Sequence, residues 1–300
     1  MSQLRHDPLS GHDVIVAAGR AARPTTFADG SPADAAGIEG CPFCPGHEAR
    51  TPPEIARTGP GEPNTPGWRV RVFPNLYPIV DAHEVVVLTP DHQRSFADLD
   101  DTEATEVVTM LRDRVHARLE AGCAYGVAIL NHLRGAGASI SHPHAQVFAL
   151  DVVPAAVDAS LARVRDAQHD LVLRDADAAL LVVTRHGEIT TWCPHASSSP
   201  FQIRLAHDGA GARFDHAENE VIAAIAIALR DALECVRATL GDVPYNVVVH
   251  TAPRDRAPFH WYVEVVPRLS VVAGFEYATG ILVNTVAPDA AARDLREVST

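Results

Sequence analysis

Lysine is absent from this 300-residue chain: all 25 positions counted as lysine or arginine are arginine. Chemistry that needs a lysine amine, such as a pyridoxal-phosphate Schiff base or a P-loop lysine, is thereby excluded. Any phosphate must be held by arginine, histidine, hydroxyls or backbone amides. Positive charge is scarce as a whole. The net charge of -13 argues against a general nucleic-acid surface, which needs a basic footprint. Cysteine is scarce too, and five residues are an odd, low count that makes no disulfide framework. No stretch approaches the roughly 18 apolar residues of a membrane span. The opening "MSQLRHDPLSGHDVIV" has no apolar core ahead of a cleavage site. The expectation is a cytoplasmic protein without membrane or nucleic-acid partners. What is present is 47% hydrophobic residues, enough for a sizeable core in one large domain or two ordinary ones.

The same order of elements occurs twice. In the first half, 83–92 reads as a strand, 101–122 as a helix with apolar residues at helical spacing, 125–131 as a strand, 132–141 as a glycine-bearing loop and 142–150 as a strand. In the second half, 200–207, 217–241, 245–251, 252–258 and 259–267 repeat strand, helix, strand, loop, strand. A tyrosine opens the third element of each copy. On the fifth element, His142, His144 and Gln146 alternate in the first copy, and His260, Tyr262 and Glu264 in the second. Successive strand side chains point to opposite faces, so each triplet projects from one face. The second copy keeps the pattern and loses the middle histidine. Between the copies, 155–181 reads as helix and linker, and 268–299 ends in a short helix.

Four constellations could carry chemistry. "CPFC", Cys41 and Cys44, is a redox pair or half of a metal site. Pro45 and Gly46 suit a tight knuckle and disfavour a thioredoxin-like helix start. His92 and His142 are candidates for two further ligands, although a lone His92 also reads as a solvated turn residue. His144, beside His142, offers an imidazole, a good nucleophile toward phosphorus. The preceding "RGAGASIS" could bring amides and hydroxyls to a phosphate. The plain alternative is a histidine pair satisfied at a strand edge. Arg20 and Arg23 in "GRAARP" could clamp a phosphate or simply be solvated. Asn75 in "FPNLYP" sits between two prolines that fix its backbone.

Together, "CPFCPGHEARTPPE", "RVFPNLYP", "NHLRGAGASISHPHAQ" and "AGFEYATG" resemble the galactose-1-phosphate uridylyltransferases of the histidine-triad superfamily, over about Asp7 to Ser299. The resemblance implies an α+β fold, a tandem duplication of histidine-triad-like domains with antiparallel sheets and flanking helices. It would divide the chain into 1–155, with the zinc site and nucleophile, and 156–300, a degenerate copy contributing to sugar binding. It implies transfer of a nucleoside monophosphate through a covalent histidine intermediate, with His144 as nucleophile. Gln146 replaces the third histidine of the related hydrolases and can hydrogen-bond phosphoryl oxygens without acting as a general acid. Zn2+ would be held by Cys41, Cys44, His92 and His142. Arg20 and Arg23 match arginines that approach the phosphates, in some members from a neighbouring subunit, so a homodimer is expected. Asn75, Asn131 and Ser139 match phosphate-contacting positions, and Phe275 and Glu276 the segment that holds the sugar.

The partners so implied are a nucleotide sugar and a sugar phosphate, with UMP moving from UDP-glucose to galactose 1-phosphate by ping-pong. Some departures point elsewhere. A second metal-binding CxxC is missing, and Cys193 aligns with Phe73 by the repeat rather than with a ligand. A lysine that grips the hexose phosphate in other members falls near Ser270 and is absent. "GFEYATG" is closer to ADP-glucose phosphorylase relatives, in which phosphate takes the nucleotidyl group. A non-catalytic nucleotide-binding protein is the remaining alternative.

Overall fold

The computed structural model describes residues 2–19, 37–167, 170–256 and 258–299. Arg20 and Arg23 lie outside the described residues. The strands are β1 (Gln3–His6), β2 (Asp13–Val16), β3 (Ala56–Arg57), β4 (Arg71–Pro74), β5 (Ala82–Val87), β6 (Tyr125–His132) and β7 (His144–Leu150). They continue as β8 (Val182–His186), β9 (Ile189–Trp192), β10 (Ile203–His207), β11 (Tyr245–His250), β12 (Tyr262–Pro267) and β13 (Leu282–Asn284). The helices are α1 (Gly37–Gly40), α2 (Asp101–Glu120), α3 (Ala155–Asp166), α4 (Leu171–Ala176), α5 (Asn219–Leu240), α6 (Gly274–Thr279) and α7 (Pro288–Val298).

Ten strands form one antiparallel sheet in the order β3-β4-β5-β7-β6-β11-β12-β10-β9-β8. The order reads outward from its centre as two matching halves, β6-β7-β5-β4 and β11-β12-β10-β9. The repeat of the sequence is therefore a repeat in space, joined edge to edge where β6 pairs with β11.

α2 and α5 cover one face. α2 starts where a capping box closes its first turn: Asp100 Oδ1 accepts from Glu103 N (2.8 Å) and Asp100 N donates to Glu103 Oε2 (2.9 Å). It buries Val107, Leu111 and Val115, and α5 buries Ile222, Ile225 and Leu229, against Ala128, Ala145, Val147, Leu205, Val247 and Val263 of the sheet. Each of the valines, leucines and isoleucines contributes roughly 1.5–3 kcal/mol when fully buried. Glu84, also on this face and fully buried, is gripped by Arg114 (2.8 Å) of α2 and by Arg118.

The opposite face carries two smaller clusters. Over the first repeat sit Cys41, Phe43, Cys44, Trp68, Phe73, Val85 and Val87. Over the second sit Leu9, Leu171, Val172, Trp192 and Tyr262. The N-terminal strands belong to this second cover: β1 pairs with β2, and β2 pairs in parallel with β13.

Three sequence expectations shift by one to three residues. β7 and β12 begin at His144 and Tyr262, so His142 and His260 stand just ahead of the ladders. Pro143 has no N–H to give to a ladder, and His260 has its ring tied to Asp170 and His207. The two tyrosines are not equivalent. Gly126 pairs with Ala149, and Tyr245 with Pro267. The repeat therefore equates Tyr245 with Gly126, and a one-residue slip sends Tyr125 to the other face. Likewise Phe73 stands opposite Val85 and Trp192 opposite Arg204, so Trp192 rather than Cys193 is the counterpart of Phe73.

Candidate functional site

The CPFC knuckle folds over the open face of the first repeat. Its backbone is fastened from beneath. Gly46, at φ +89°, turns the chain after Cys44, and its N–H donates to the Glu48 carboxylate (3.0 Å). That carboxylate also accepts from Trp68 Nε1 (2.9 Å). Burial would raise the Glu48 pKa, but these donors hold it below the usual carboxylate value. Phe43 between the cysteines packs on Phe73 (ring centroids 5.4 Å).

Cys41, Cys44, His92 and His142 converge, with all four ligand atoms within 4.8 Å of one another. Cys41 Sγ lies 3.7 Å from His142 Nδ1, and Cys44 Sγ lies 3.3 Å from His92 Nδ1 and 3.5 Å from His142 Nδ1. A tetrahedral zinc with ordinary Zn–S and Zn–N bonds has S···N edges of about 3.6 Å, so the donor set fits that ion. The far side of each imidazole is also fixed. His142 Nε2 donates to Thr89 O (2.8 Å), and His92 Nε2 meets Ser141 Oγ (3.1 Å). Such outer partners set which nitrogen faces a metal. Burial pushes the His142 pKa down to about 4, keeping the ring in its neutral, ligating form. Burial and the adjacent Cys41 push the Cys44 thiol up to about 11, a rise that a bound cation would oppose.

His144 opens β7 on the same face. Its Nδ1 lies 2.9 Å from His142 O. A carbonyl only accepts, so Nδ1 carries the hydrogen and Nε2 keeps its lone pair. Burial lowers the His144 pKa, which favours the neutral ring further. Phe43 stands edge-on to it (5.3 Å, 75°). Among the described residues Nε2 has no hydrogen-bond partner. The peptide of a candidate metal ligand thus also sets the tautomer of the neighbouring imidazole.

Gln146, two residues on, meets His83 of β5. Ile79 N donates to His83 Nδ1 (3.4 Å), which puts the ring hydrogen on Nε2, and this is given to Gln146 Oε1 (2.7 Å). The Gln146 amide N–H2 has no partner among the described residues and remains available to an anion. Asn75 Nδ2 lies 3.1 Å from the same His83 nitrogen, while Asn75 Oδ1 accepts from Tyr77 N (2.8 Å). Asn131 on β6 accepts from Asn246 Nδ2 (2.7 Å) across the β6–β11 seam. The loop after β6 begins at Leu133, strained at φ +63°, and turns at Gly137, φ +95°. It closes a crevice of about 30 Å3 lined by Asn131, Ala138, Ser141 and His144. Ser139 is exposed on that loop.

The structure thus gathers Cys41, Cys44, His92, His142, His144, Gln146 and Asn75 on one face, with Asn131 at its edge. It does not bring Phe275 and Glu276 to them within the chain. Both stand on α6, where Glu276 caps its own helix through Ala273 N (3.0 Å). His83, Phe43 and Asn246 were missed by sequence reasoning. The only signal for His83 was its place in the strand pattern with Val85 and Val87, and one strand cannot reveal its cross-strand neighbour.

In the second repeat, Tyr262 stands at the position of His144 and Glu264 at that of Gln146. Gln202, at the position of His83, donates to Glu264 (2.7 Å). His207, His250 and His260 do not gather: Glu264 takes His250 (3.1 Å), while His260 binds Asp170 and the His207 carbonyl (both 2.9 Å). Arg204, nearly fully buried, bridges Asp7 (2.6 Å), Glu264 (2.8 Å) and Asp175 (3.3 Å).

A duplicated antiparallel α+β fold with these two unequal faces is the histidine-triad type of scaffold that the sequence suggested. Residues 82–154 match the family model for galactose-1-phosphate uridyl transferase, N-terminal domain. An ADP-glucose phosphorylase of Arabidopsis thaliana is 30% identical over 329 residues, covering 99% of this chain and 93% of that protein. A galactose-1-phosphate uridylyltransferase of Streptomyces lividans is 29% identical over 68% of this chain and 56% of that protein. The crystal structure of an ADP-glucose phosphorylase from Arabidopsis thaliana with bound ADP-glucose superposes with a TM-score of 0.89, at 29% identity and over the whole of both chains. The chain belongs to the galactose-1-phosphate uridylyltransferase family, with ADP-glucose phosphorylases among its relatives.

Proposed function

We propose that this enzyme moves a nucleoside monophosphate through a covalent nucleotidyl–His144 intermediate, with ADP-glucose as donor and inorganic phosphate as acceptor. The observation that carries the mechanism is the His142 carbonyl on His144 Nδ1, which leaves Nε2 neutral, hydrogen-free and ready to attack. In the first half-reaction Nε2 bonds to the α-phosphorus, the bond to the sugar phosphate breaks, and glucose 1-phosphate leaves with its electron pair. In the second, a phosphate oxygen attacks the same phosphorus, ADP forms and His144 is regenerated. The Gln146 amide, steered by His83, donates to a phosphoryl oxygen. It cannot protonate the leaving group, which suits a sugar phosphate that leaves as a stable anion and disfavours hydrolysis.

A zinc ion held by Cys41, Cys44, His92 and His142 would supply rigidity rather than Lewis acidity, since four protein ligands close the tetrahedron. The His142 peptide then stays fixed beneath His144. Residues 1–155 would carry this chemistry, with 156–300 serving the sugar end. Arg20 and Arg23, together with Phe275 and Glu276 on exposed α6, would complete a site across a homodimer.

The ADP-glucose relative and the absence of any lysine support phosphate as acceptor. The match of 82–154 to the uridyl transferase model favours a second reading, transfer of UMP from UDP-glucose to galactose 1-phosphate. A four-way assay crossing both nucleotide sugars with phosphate and galactose 1-phosphate separates them. ADP and glucose 1-phosphate should form fastest from ADP-glucose plus phosphate. Turnover confined to UDP-glucose and the hexose phosphate would instead establish the second reading.

A further inference from the structure

On the helical face, far from the CPFC knuckle in the chain, a second set of metal-type donors converges between the repeats. His116 projects from α2 of the first repeat, and Asp215 and His216 lie just before α5 of the second. Their ligand atoms all lie within 4.8 Å of one another. His116 Nδ1 is 3.4 Å and His216 Nε2 3.6 Å from the same atom, Asp215 Oδ2. Both distances exceed the 2.7–3.2 Å usual for N–H···O bonds. A tetrahedral site with bonds near 2.1 Å has donor–donor edges of about 3.4 Å; the first distance equals that edge and the second exceeds it by about 0.2 Å. The two imidazoles face each other with centroids 5.8 Å apart.

The surroundings hold these groups in place without using them up. Asp215 is fully buried, while the two histidine side chains are half exposed. Arg213 grips the carboxylate with Nε on Oδ1 (3.0 Å) and a second nitrogen on Oδ2 (2.5 Å). A carboxylate has about four acceptor positions, so a lone pair of Oδ2 remains on the side of the imidazoles. Phe214 N donates to Thr251 Oγ1 (2.9 Å), which pins the segment to the second repeat. One turn before His116, Arg112 donates to Ala217 O (3.0 Å) and Asn219 Oδ1 (2.7 Å), which pins α2 to it. Among the described residues the remaining nitrogens of His116 and His216 have no partner.

We propose that His116, Asp215 and His216 bind a divalent first-row transition metal, zinc by ligand type, clipping α2 of the first repeat to the entrance of α5 in the second. Two imidazoles and one carboxylate select such an ion over magnesium or calcium. Three protein ligands leave a fourth position to water. Arg213 already offsets the carboxylate charge, so this ion is held more weakly than one in the Cys2His2 cluster, and a chelator removes it first.

Cobalt(II) titration of the metal-stripped full chain tests this. Two equivalents should bind: one with thiolate-to-cobalt charge-transfer absorption, from the cysteine cluster, and a weaker one without it. His116→Asn with His216→Asn, both at half-exposed positions, should weaken the second equivalent at least about tenfold and leave the thiolate band unchanged. The second equivalent in wild type should also raise the melting temperature, and magnesium should not. A single equivalent in wild type would overturn the proposal. So would a second equivalent that survives the double substitution.

Discussion

Replacing Arg204 by methionine tests a buried charge that bridges three carboxylates. Its guanidinium serves Asp7, Glu264 and Asp175 at 2.6–3.3 Å. Methionine fills similar space and leaves carboxylates buried without their cation. Breaking one partner of a buried ion pair costs about 3–5 kcal/mol. At roughly 2 °C per kcal/mol for a chain of this size, the melting temperature should fall by about 6–10 °C at pH 7. The pH dependence gives the sharper test. In the wild type, burial would raise the Glu264 pKa, but Arg204, with help from His250, holds it well below the usual carboxylate range. Arg204 likewise outweighs burial at Asp7. Folded values below unfolded ones mean stability that is fully present above about pH 4.3 and lost as pH falls further. Without the guanidinium, burial is opposed only by His250 and Gln202 at Glu264 and by Ser10 and Leu9 at Asp7, so both carboxyl pKa values should rise. The variant should therefore lose less stability than the wild type as pH falls. Urea melts at pH 5, 7 and 8 should therefore show the gap to wild type narrowing in acid. Adding Asp7→Asn and Glu264→Gln should recover much of the loss. A gap under 1 kcal/mol at pH 7, or one that does not change with pH, would refute the reasoning.

Other consequences follow from the first repeat. Cys41→Ser should strip metal from the cluster and lower the melting temperature, and elemental analysis beside calorimetry would reveal both. His83→Ala removes the donor that steers Gln146. The rate of nucleotidyl transfer should drop about tenfold or more, with little change in melting temperature, and equal rates would remove His83 from the mechanism. Since burial lowers the His144 pKa, the proposed nucleophile should stay neutral as pH falls past the usual imidazole value of about 6.5. The acid limb of the single-turnover rate should accordingly lie below that value. An acid limb above pH 7 would contradict the buried, neutral ring.

The readable parts of the sequence were those in which local chemistry states its own geometry. HPHAQ alternates as a strand must, the CPFC knuckle carries its own turn residues, and the helical spacing of apolar residues over 101–122 marks α2. What stayed hidden depends on partners far away in the chain. His83 acquires meaning only when β5 lies beside β7. Arg204 reaches Asp7 across a separation of 197 residues, and β13 returns to pair with β2. Tyr125 and Tyr245 looked alike in linear order, yet register alone decided their faces, and a single-residue slip reversed one of them. The positions of Phe275 and Glu276 away from His144 were equally invisible, because a motif does not say where in the fold it will lie.

The most direct test of the account is intact-protein mass spectrometry after brief mixing with ADP-glucose, and separately with UDP-glucose, without acceptor. The account predicts an adenylyl adduct that His144→Gly abolishes while its circular dichroism stays native. Absence of any nucleotidyl adduct from wild type, or an adduct that persists in His144→Gly, would contradict it.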